Sequence, residues 1–397
     1  MIVAGGFYRE LCARPRWDKL YGSGGRAVTS IATLSPGSVF HTYACANWIE
    51  SLRASAAGLG YSVEATPIQE AITFDYLHPM AKPSLFPPKR RRYPSLNVSG
   101  DVVLRFGFVE GDAIVQAQRA IFDPQTGAKP ISFFQNGSTC DELAVVLNGA
   151  EAIKAVSLEL DKAGPALLAR WNAAVVVIKM GTQGATVFQH GRDPFRVPAF
   201  KSEHVFKIGS GDVFSAVFAH CWGEAGASPE DAALAASVAV SEYVDTRALP
   251  FSELPTSAGR EGYYRDTIQP NVYLAGPFFD LSQRWLIEES LSLLESLGAE
   301  VFSPIHDVGY AENVSEVATQ DLDGLIASDV VLALADGRDP GTIFEVGYAR
   351  ALDPPKPVVV LAERFHRHEY TMFTGTGCEV TDDFTTALYK AIWAAST

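Results

Sequence analysis

Cysteine is scarce in this chain: Cys12, Cys45, Cys140, Cys221 and Cys378 are the only 5 in 397 residues. Their odd number, wide scatter and lack of a C-x-x-C spacing argue against a disulfide framework, and they supply no zinc or dithiol motif. Positive charge is short as well, with 32 Lys and Arg against 46 Asp and Glu and a net charge of −14. So acidic a chain repels polyanions, which excludes a nucleic-acid polymer or an anionic membrane surface as a partner and leaves small ligands. No apolar run approaches the ~20 residues that span a bilayer. The opening stretch, MIVAGGFYRELCARPRW, lacks the basic-then-apolar layout of a secretion signal, so a cytoplasmic location is expected.

What is present describes a folded enzyme-sized chain. Hydrophobic residues make up 47% and charged residues 20%, enough apolar material for sizeable cores. The length exceeds what a single core usually supports, so two domains are expected. Residues 251–269 mix prolines, serines, glycines and charges without an amphipathic period and read as a linker between 1–250 and 270–397. No internal repeat occurs. The one basic run, Lys89 to Arg92, is flanked by Pro87, Pro88 and Pro94 and reads as a solvated loop.

In the second half, strand-like and helix-like segments alternate. NVYLAGPFF is a strand entering a Gly-Pro turn, and SQRWLIEESLSLLESLG is a helix closed by Gly298. AEVFSP, VVLALA and KPVVVLA are further strands, and VATQDLDGLIASD is a helix between the first two of them. This alternation predicts a small, doubly wound parallel sheet of α/β class. Within it, DGRDPGTIFEVGYARAL follows a buried strand at once, with Pro340 and Gly341 in the turn, Thr342 as the cap and Glu345 in the first turn of a helix. The carboxyl end of a parallel strand is where open α/β sheets bind ligands, so Glu345 is placed in a crevice.

The first half alternates similarly. VVLRFGF, AIFDP, AVVVIKMG and GATVFQHG are strand-like, and Asp141 to Leu147 read as helical. Two segments stand out. VVVIKMGTQGATVF is strand, glycine-punctuated turn and strand, and KIGSGDVFSAVFAHCW is a glycine loop opening an apolar helix. Gly209, Ser210 and Gly211 bring backbone amides to a helix N-terminus, where phosphate charge is favoured, with Asp212 beside them.

On these residues the first half, over about 1–250, resembles the PfkB (ribokinase-like) family of sugar and nucleoside kinases. Gly209, Ser210, Gly211 and Asp212 match the G-A-G-D end of that family's hallmark, which implies Asp212 as catalytic base. IKMGTQGA resembles its nucleotide-side strand and turn, so Lys179, Gly181 and Gly184 would line ATP, with Mg2+ as the accompanying ion. GSGGRA resembles its double-glycine substrate element, giving Gly24 and Gly25, and Glu10 stands where the family usually has a substrate-gripping aspartate. Phe206 and Lys207 replace the hallmark's Asp-Thr, so Lys207 is a phosphate-binding candidate in place of a carboxylate.

The second half, over about 270–397, resembles the nucleoside 2-deoxyribosyltransferase family through YLAGPFF, DLDGL and DPGTIFEVGYA in order. The resemblance implies Glu345 as nucleophile, Tyr273 as the tyrosine that orients it, and Asp339 and Asp321 as acids near the base. Gly276, Phe278 and Phe279 would border the base, and Asp336 is an alternative acid to Asp339. Glycosyl transfer with retention needs a carboxylate that attacks the anomeric carbon and an acid that protonates the departing base, and two acids in one pocket divide those tasks. The expected fold is a ribokinase-like α/β domain followed by a Rossmann-like, flavodoxin-like domain, in a homo-oligomer. The expected function is bifunctional: 2-deoxyribosyl transfer between nucleobases, needing no cofactor, and ATP-dependent phosphorylation of a sugar or nucleoside hydroxyl. The alternative is an N-glycoside hydrolase on a nucleoside or nucleotide, with the kinase-like half a nucleotide sensor.

Overall fold

A computed structural model describes residues 1–264, 269–310, 312–364 and 366–395. It divides into two compact units, one of residues 1–202 and 206–264, the other of 203–205 and 265–397.

The first unit is built on a nine-stranded sheet. Its order is Phe195–Val197, Ala185–Gln189, Val175–Lys179, Thr139–Asn148, Ala113–Asp123, Leu96–Phe106, Ile2–Ala4, Val39–Cys45 and Ser62–Ile68. All neighbours are parallel except the antiparallel pairs that Ala185–Gln189 makes on either side. A separate four-stranded sheet orders Trp17–Leu20, Arg9–Cys12, Thr73–Tyr76 and Ser84–Phe86. Asp141 to Leu147, expected to be helical, belong to the strand Thr139–Asn148. The run LAVVL is valine-rich and buried, and it is hydrogen-bonded to a parallel strand on each side, so ladder pairing overrides the helical spacing.

The presumed linker also differs. Residues 251–264 fold with the first unit: Phe251 is buried in its core, and Gly262–Tyr263 pairs with Ala199–Phe200. A short strand containing glycine and no amphipathic period leaves too little pattern to mark it. Residues 265–268 of the expected linker lie outside the described residues.

The second unit holds a five-stranded, wholly parallel sheet in the order Glu300–Phe302, Asn271–Ala275, Val330–Leu334, Val358–Leu361 and Glu379–Thr381. Numbered along the chain this is 2-1-3-4-5, the flavodoxin-like doubly wound order. The α/β class and the small parallel sheet are as expected from the alternation. Val330–Leu334 is buried at every position, which explains why its sequence is continuously apolar and not alternating.

Candidate functional site

In a 2-1-3-4-5 sheet the connections leave in opposite directions from strands one and three, opening a crevice at their carboxyl ends. Those strands are Asn271–Ala275 and Val330–Leu334. Gly276 starts the turn after the first of them, where a Cβ would press on Ile287 and Leu334, each 3.0 Å away. Phe278 then rests against Phe279, centroids 4.8 Å apart, and against Tyr310 at 6.1 Å. Phe279 remains 68% exposed, an aromatic face open to a ligand. Asp280 caps the following helix by accepting from the Gln283 amide, and Gln283 accepts in turn from the Phe279 amide, which fixes the aromatic turn.

After the third strand, the helix Pro340–Ala351 begins with proline at its first position and Asp339 as its cap. Asp339 Oδ2 accepts from the Thr342 amide at 2.7 Å and from the Thr342 hydroxyl at 2.9 Å, so the cap is Asp339 and not Thr342. Glu345 therefore lies in the second turn, not the first. Proline needs no amide partner at the helix start, which draws the helix back to residue 340.

Glu345 is half-buried, and its Oε1 accepts a 2.7 Å hydrogen bond from the Tyr273 hydroxyl. Tyr273 is wholly buried and stacked on Phe302 at 5.5 Å, so the donor is held fixed. Burial pushes the Glu345 carboxyl up to about 7, the Tyr273 bond opposing it and the charges of Asp321 and Asp339 adding to it. Burial, and then the Glu345 charge, raise the Tyr273 hydroxyl, so the proton stays on the tyrosine. Asp321, on the helix Val314–Ala327, is also raised by burial, and its Oδ1 is buried without a hydrogen-bond partner. Asp336 stands apart from this group: its two oxygens accept from the amides of Glu363 and Arg364, holding the turn after the neighbouring strand. Sequence reasoning missed Phe302, at the end of the strand Glu300–Phe302 and stacked on Tyr273, and Tyr310, in the loop after the helix Pro304–Asp307 and against Phe278.

In the first unit, Asp123 and Lys179 end the strands Ala113–Asp123 and Val175–Lys179, which flank Thr139–Asn148 on either side. Lys179 Nζ pairs with Asp123 at 2.6 Å, and the Ser215 hydroxyl donates to the same Asp123 oxygen at 2.7 Å. Asp212 lies in the first turn of the helix Ser210–Phe218, which Gly209 opens with a φ of 81°. A side chain at Gly209 would collide with the guanidinium of Arg26, so glycine is required for both backbone and space. Arg26 was not singled out in the sequence. A lone arginine in a run of small residues has no periodicity to betray that it is buried. It pairs with both Glu10 and Asp212, joining the expected substrate acid to the expected base. Gly24 and Gly25 lie within the buried helix Gly22–Ser30, packed on Gly5 and Phe7, so their small size serves helix packing. Gly181 and Gly184 form the turn between two antiparallel strands, where a Cβ on Gly184 would strike the backbone of residues 197–199. Phe206 is buried against Trp17, centroids 4.8 Å apart.

Lys207 Nζ donates to the Ser210 hydroxyl at 3.1 Å, and a Cβ on Gly211 would sit 3.3 Å from Lys179 Nζ. Two ammonium groups thus flank the first amides of the helix, a donor set that fits a nucleotide's phosphates. Among the described residues no group of three His, Cys, Asp or Glu side chains could hold a metal ion by itself. Mg2+ is usually bound by one or two carboxylates together with substrate phosphates, and the carboxylates beside this helix start, Asp123 and Asp212, are each ion-paired.

Comparison with known proteins gives two separate matches. A family profile described as nucleoside 2-deoxyribosyltransferase matches residues 272–386, and one described as pfkB family carbohydrate kinase matches residues 141–252. No curated protein matches the chain. Among solved structures, a ribokinase from Thermotoga maritima is 17% identical, covering 63% of this chain and 96% of its own, with a TM-score of 0.48. Arabidopsis thaliana ribokinase, complexed with ribose and ATP, is 16% identical over 63% of this chain and 95% of its own, at 0.47. A Vibrio cholerae fructokinase with fructose, ADP and calcium ion is 13% identical over 65% and 96%, at 0.48.

Proposed function

We propose, for a chain in which a pfkB kinase segment precedes a nucleoside 2-deoxyribosyltransferase segment, that the two units carry two transfer reactions on nucleosides or their parts. The second unit moves a 2-deoxyribosyl group between nucleobases. The observation that carries this is Glu345 at the crevice of the parallel sheet, oriented by the buried Tyr273 hydroxyl at 2.7 Å.

In this reading the deoxynucleoside base lies against Phe278 and Phe279, and a Glu345 oxygen attacks the anomeric carbon. The glycosidic C–N bond breaks and its electron pair leaves with the base, which takes a proton from Asp321. Asp321 suits that task because burial keeps its proton on to higher pH and one oxygen has no other partner. Asp339 acts as the helix cap and Asp336 as a turn anchor, both committed to backbone amides. The incoming base then attacks the anomeric carbon, displaces Glu345 and returns its proton to Asp321, so that two inversions give retention. Water in place of that base gives hydrolysis. Self-association belongs to the same proposal, supported by the exposed apolar side chains Leu281, Tyr310, Val314 and Met372 of this unit.

The first unit transfers a phosphoryl group to a hydroxyl of a sugar or nucleoside, with Asp212 taking the hydroxyl proton. Lys179, Lys207 and the amide of Gly211 would hold the phosphates of ATP, which supplies the phosphoryl group; the Ser210 amide donates to the Lys207 carbonyl instead. No residue is assigned to Mg2+.

The test is incubation of the protein with a panel of deoxynucleosides, free bases and ATP, with products identified by mass. Exchanged nucleosides, absent with Glu345→Ala, are the expected result. Full exchange by that variant would remove Glu345 from the chemistry.

A further inference from the structure

Arg26 is the one charged residue of the helix Gly22–Ser30, and only 1% of it is exposed. Its Nε donates to the Tyr243 hydroxyl at 3.0 Å, and Nη1 donates to Glu10 Oε1 at 3.0 Å and to Asp212 Oδ2 at 2.8 Å. Nη2 donates to the other Glu10 oxygen. The guanidinium carbon stands 5.0 Å from the Tyr21 ring centroid. Burial alone would weaken this cation, but Glu10, Tyr243 and Asp212 together raise its pKa well above the ordinary arginine value. The charge is permanent.

The consequence falls on Asp212. Its Oδ2 is taken by Arg26, its Oδ1 accepts from Gln125 Nε2 at 2.6 Å, and 7% of the residue is exposed. An acceptor hydroxyl must come within hydrogen-bond reach of this carboxylate to lose its proton to it. Arg26 and Gln125 each hold one of its oxygens, so an acceptor hydroxyl would have to compete with them for the carboxylate. Glu10 differs, because it holds Arg26 through both carboxylate oxygens and keeps the guanidinium paired even if Asp212 lets go. Arg26 could therefore let go of Asp212 and still have its charge compensated by Glu10.

We propose that Arg26 is a positioning residue that latches Asp212 against idle phosphoryl transfer, and that transfer requires the guanidinium to release Asp212 while keeping Glu10. This rests on the kinase reading of the first unit. With Oδ2 free, the acceptor O–H bond breaks and its proton passes to Asp212. The acceptor oxygen bonds the γ-phosphorus, and the bond from that phosphorus to its bridging oxygen breaks, its electron pair leaving on ADP. A latch of this kind denies water the base when no acceptor is bound.

The experiment uses the full chain and ATP alone, with water as the only acceptor, reading ADP release and, by calorimetry, the ATP Kd. Wild type should release ADP at background, and Arg26→Gln should raise release by about tenfold or more, within the range a freed general base supplies. Its ATP Kd should stay within about threefold, and adding Asp212→Asn should return release to background. If Arg26→Gln does not melt cooperatively, Arg26→Lys keeps the charge but has no fork to hold Glu10 and reach Asp212 together, and a rise of about two- to tenfold is expected from the one lost hydrogen bond to Asp212. Normal ATP binding with no rise in whichever variant folds overturns the latch. In that case wild-type phosphorylation of any sugar or nucleoside in a parallel panel leaves the kinase reading standing. If ATP binds but neither wild type nor variant turns it over with any acceptor, the kinase reading falls and the latch falls with it.

Discussion

Glu345 is a carboxylic acid that holds its proton to about pH 7, and attack on an anomeric carbon needs the ionised form. Because its pKa lies above the ordinary 4.5, the nucleophile appears only as pH climbs through about 7. The kcat/KM for base exchange should therefore rise along a limb centred near that value and level off above it. Tyr273→Phe removes the hydrogen bond that favours the ionised form, so the limb should move upward by about half to one pH unit. An unmoved limb would assign it to another group. Asp321→Asn should slow exchange by about 10²-fold or more for bases that need protonation and spare activated bases that leave without it, measured as leaving-group dependence. Equal loss for both would deny Asp321 the acid role. The sequence singles out Glu345, Tyr273 and Asp321 because each falls in an ordered motif, and the structure joins the first two by a hydrogen bond. Arg26 was not, since nothing in GSGGRA separates a solvated arginine from a buried one.

At the scale of elements, Asp339 belongs to the helix it starts. Asp339→Ala should lower stability by about 1 kcal/mol, the usual cost of losing an N-cap, and Asp339→Asn should recover most of it, both read by denaturant unfolding. The leaving-group profile should stay as in wild type. A stable Asp339→Ala that fails only on poor leaving groups would return the acid role to Asp339. The cap was misread because Thr342 and Asp339 are both good capping residues, and only the placement of Pro340 at the first helical position decides between them. Strands such as Val330–Leu334 were legible from buried valine runs. Thr139–Asn148 was not, because its acidic start and mixed spacing carry a helical period that pairing on both sides overrules.

At the scale of the molecule, every residue assigned to deoxyribosyl transfer lies between 273 and 345, within one compact unit. A fragment of residues 265–397 lacks only Glu203–Val205 of that unit and should still melt cooperatively and retain base exchange, and residues 1–264 should fold separately and bind ATP. Loss of exchange by a folded 265–397 would mean that residues outside 265–397 are needed for the site. Two halves were legible from length and from two separate strand-helix alternations. The joint was read too early in the chain, because Phe251 and the strand Gly262–Tyr263 belong to the first unit through contacts that leave no local pattern.

The proposed transfer turns on a covalent bond between Glu345 and the sugar. The direct measurement is the mass of the protein, intact and then as peptides, after exposure to a 2-fluoro-2-deoxy nucleoside, whose fluorine destabilises the oxocarbenium-like state and prolongs the ester. One added fluorosugar is expected, found on the peptide that contains Glu345 and absent from Glu345→Ala. An active enzyme that stays unlabelled and releases product of inverted anomeric configuration would contradict it.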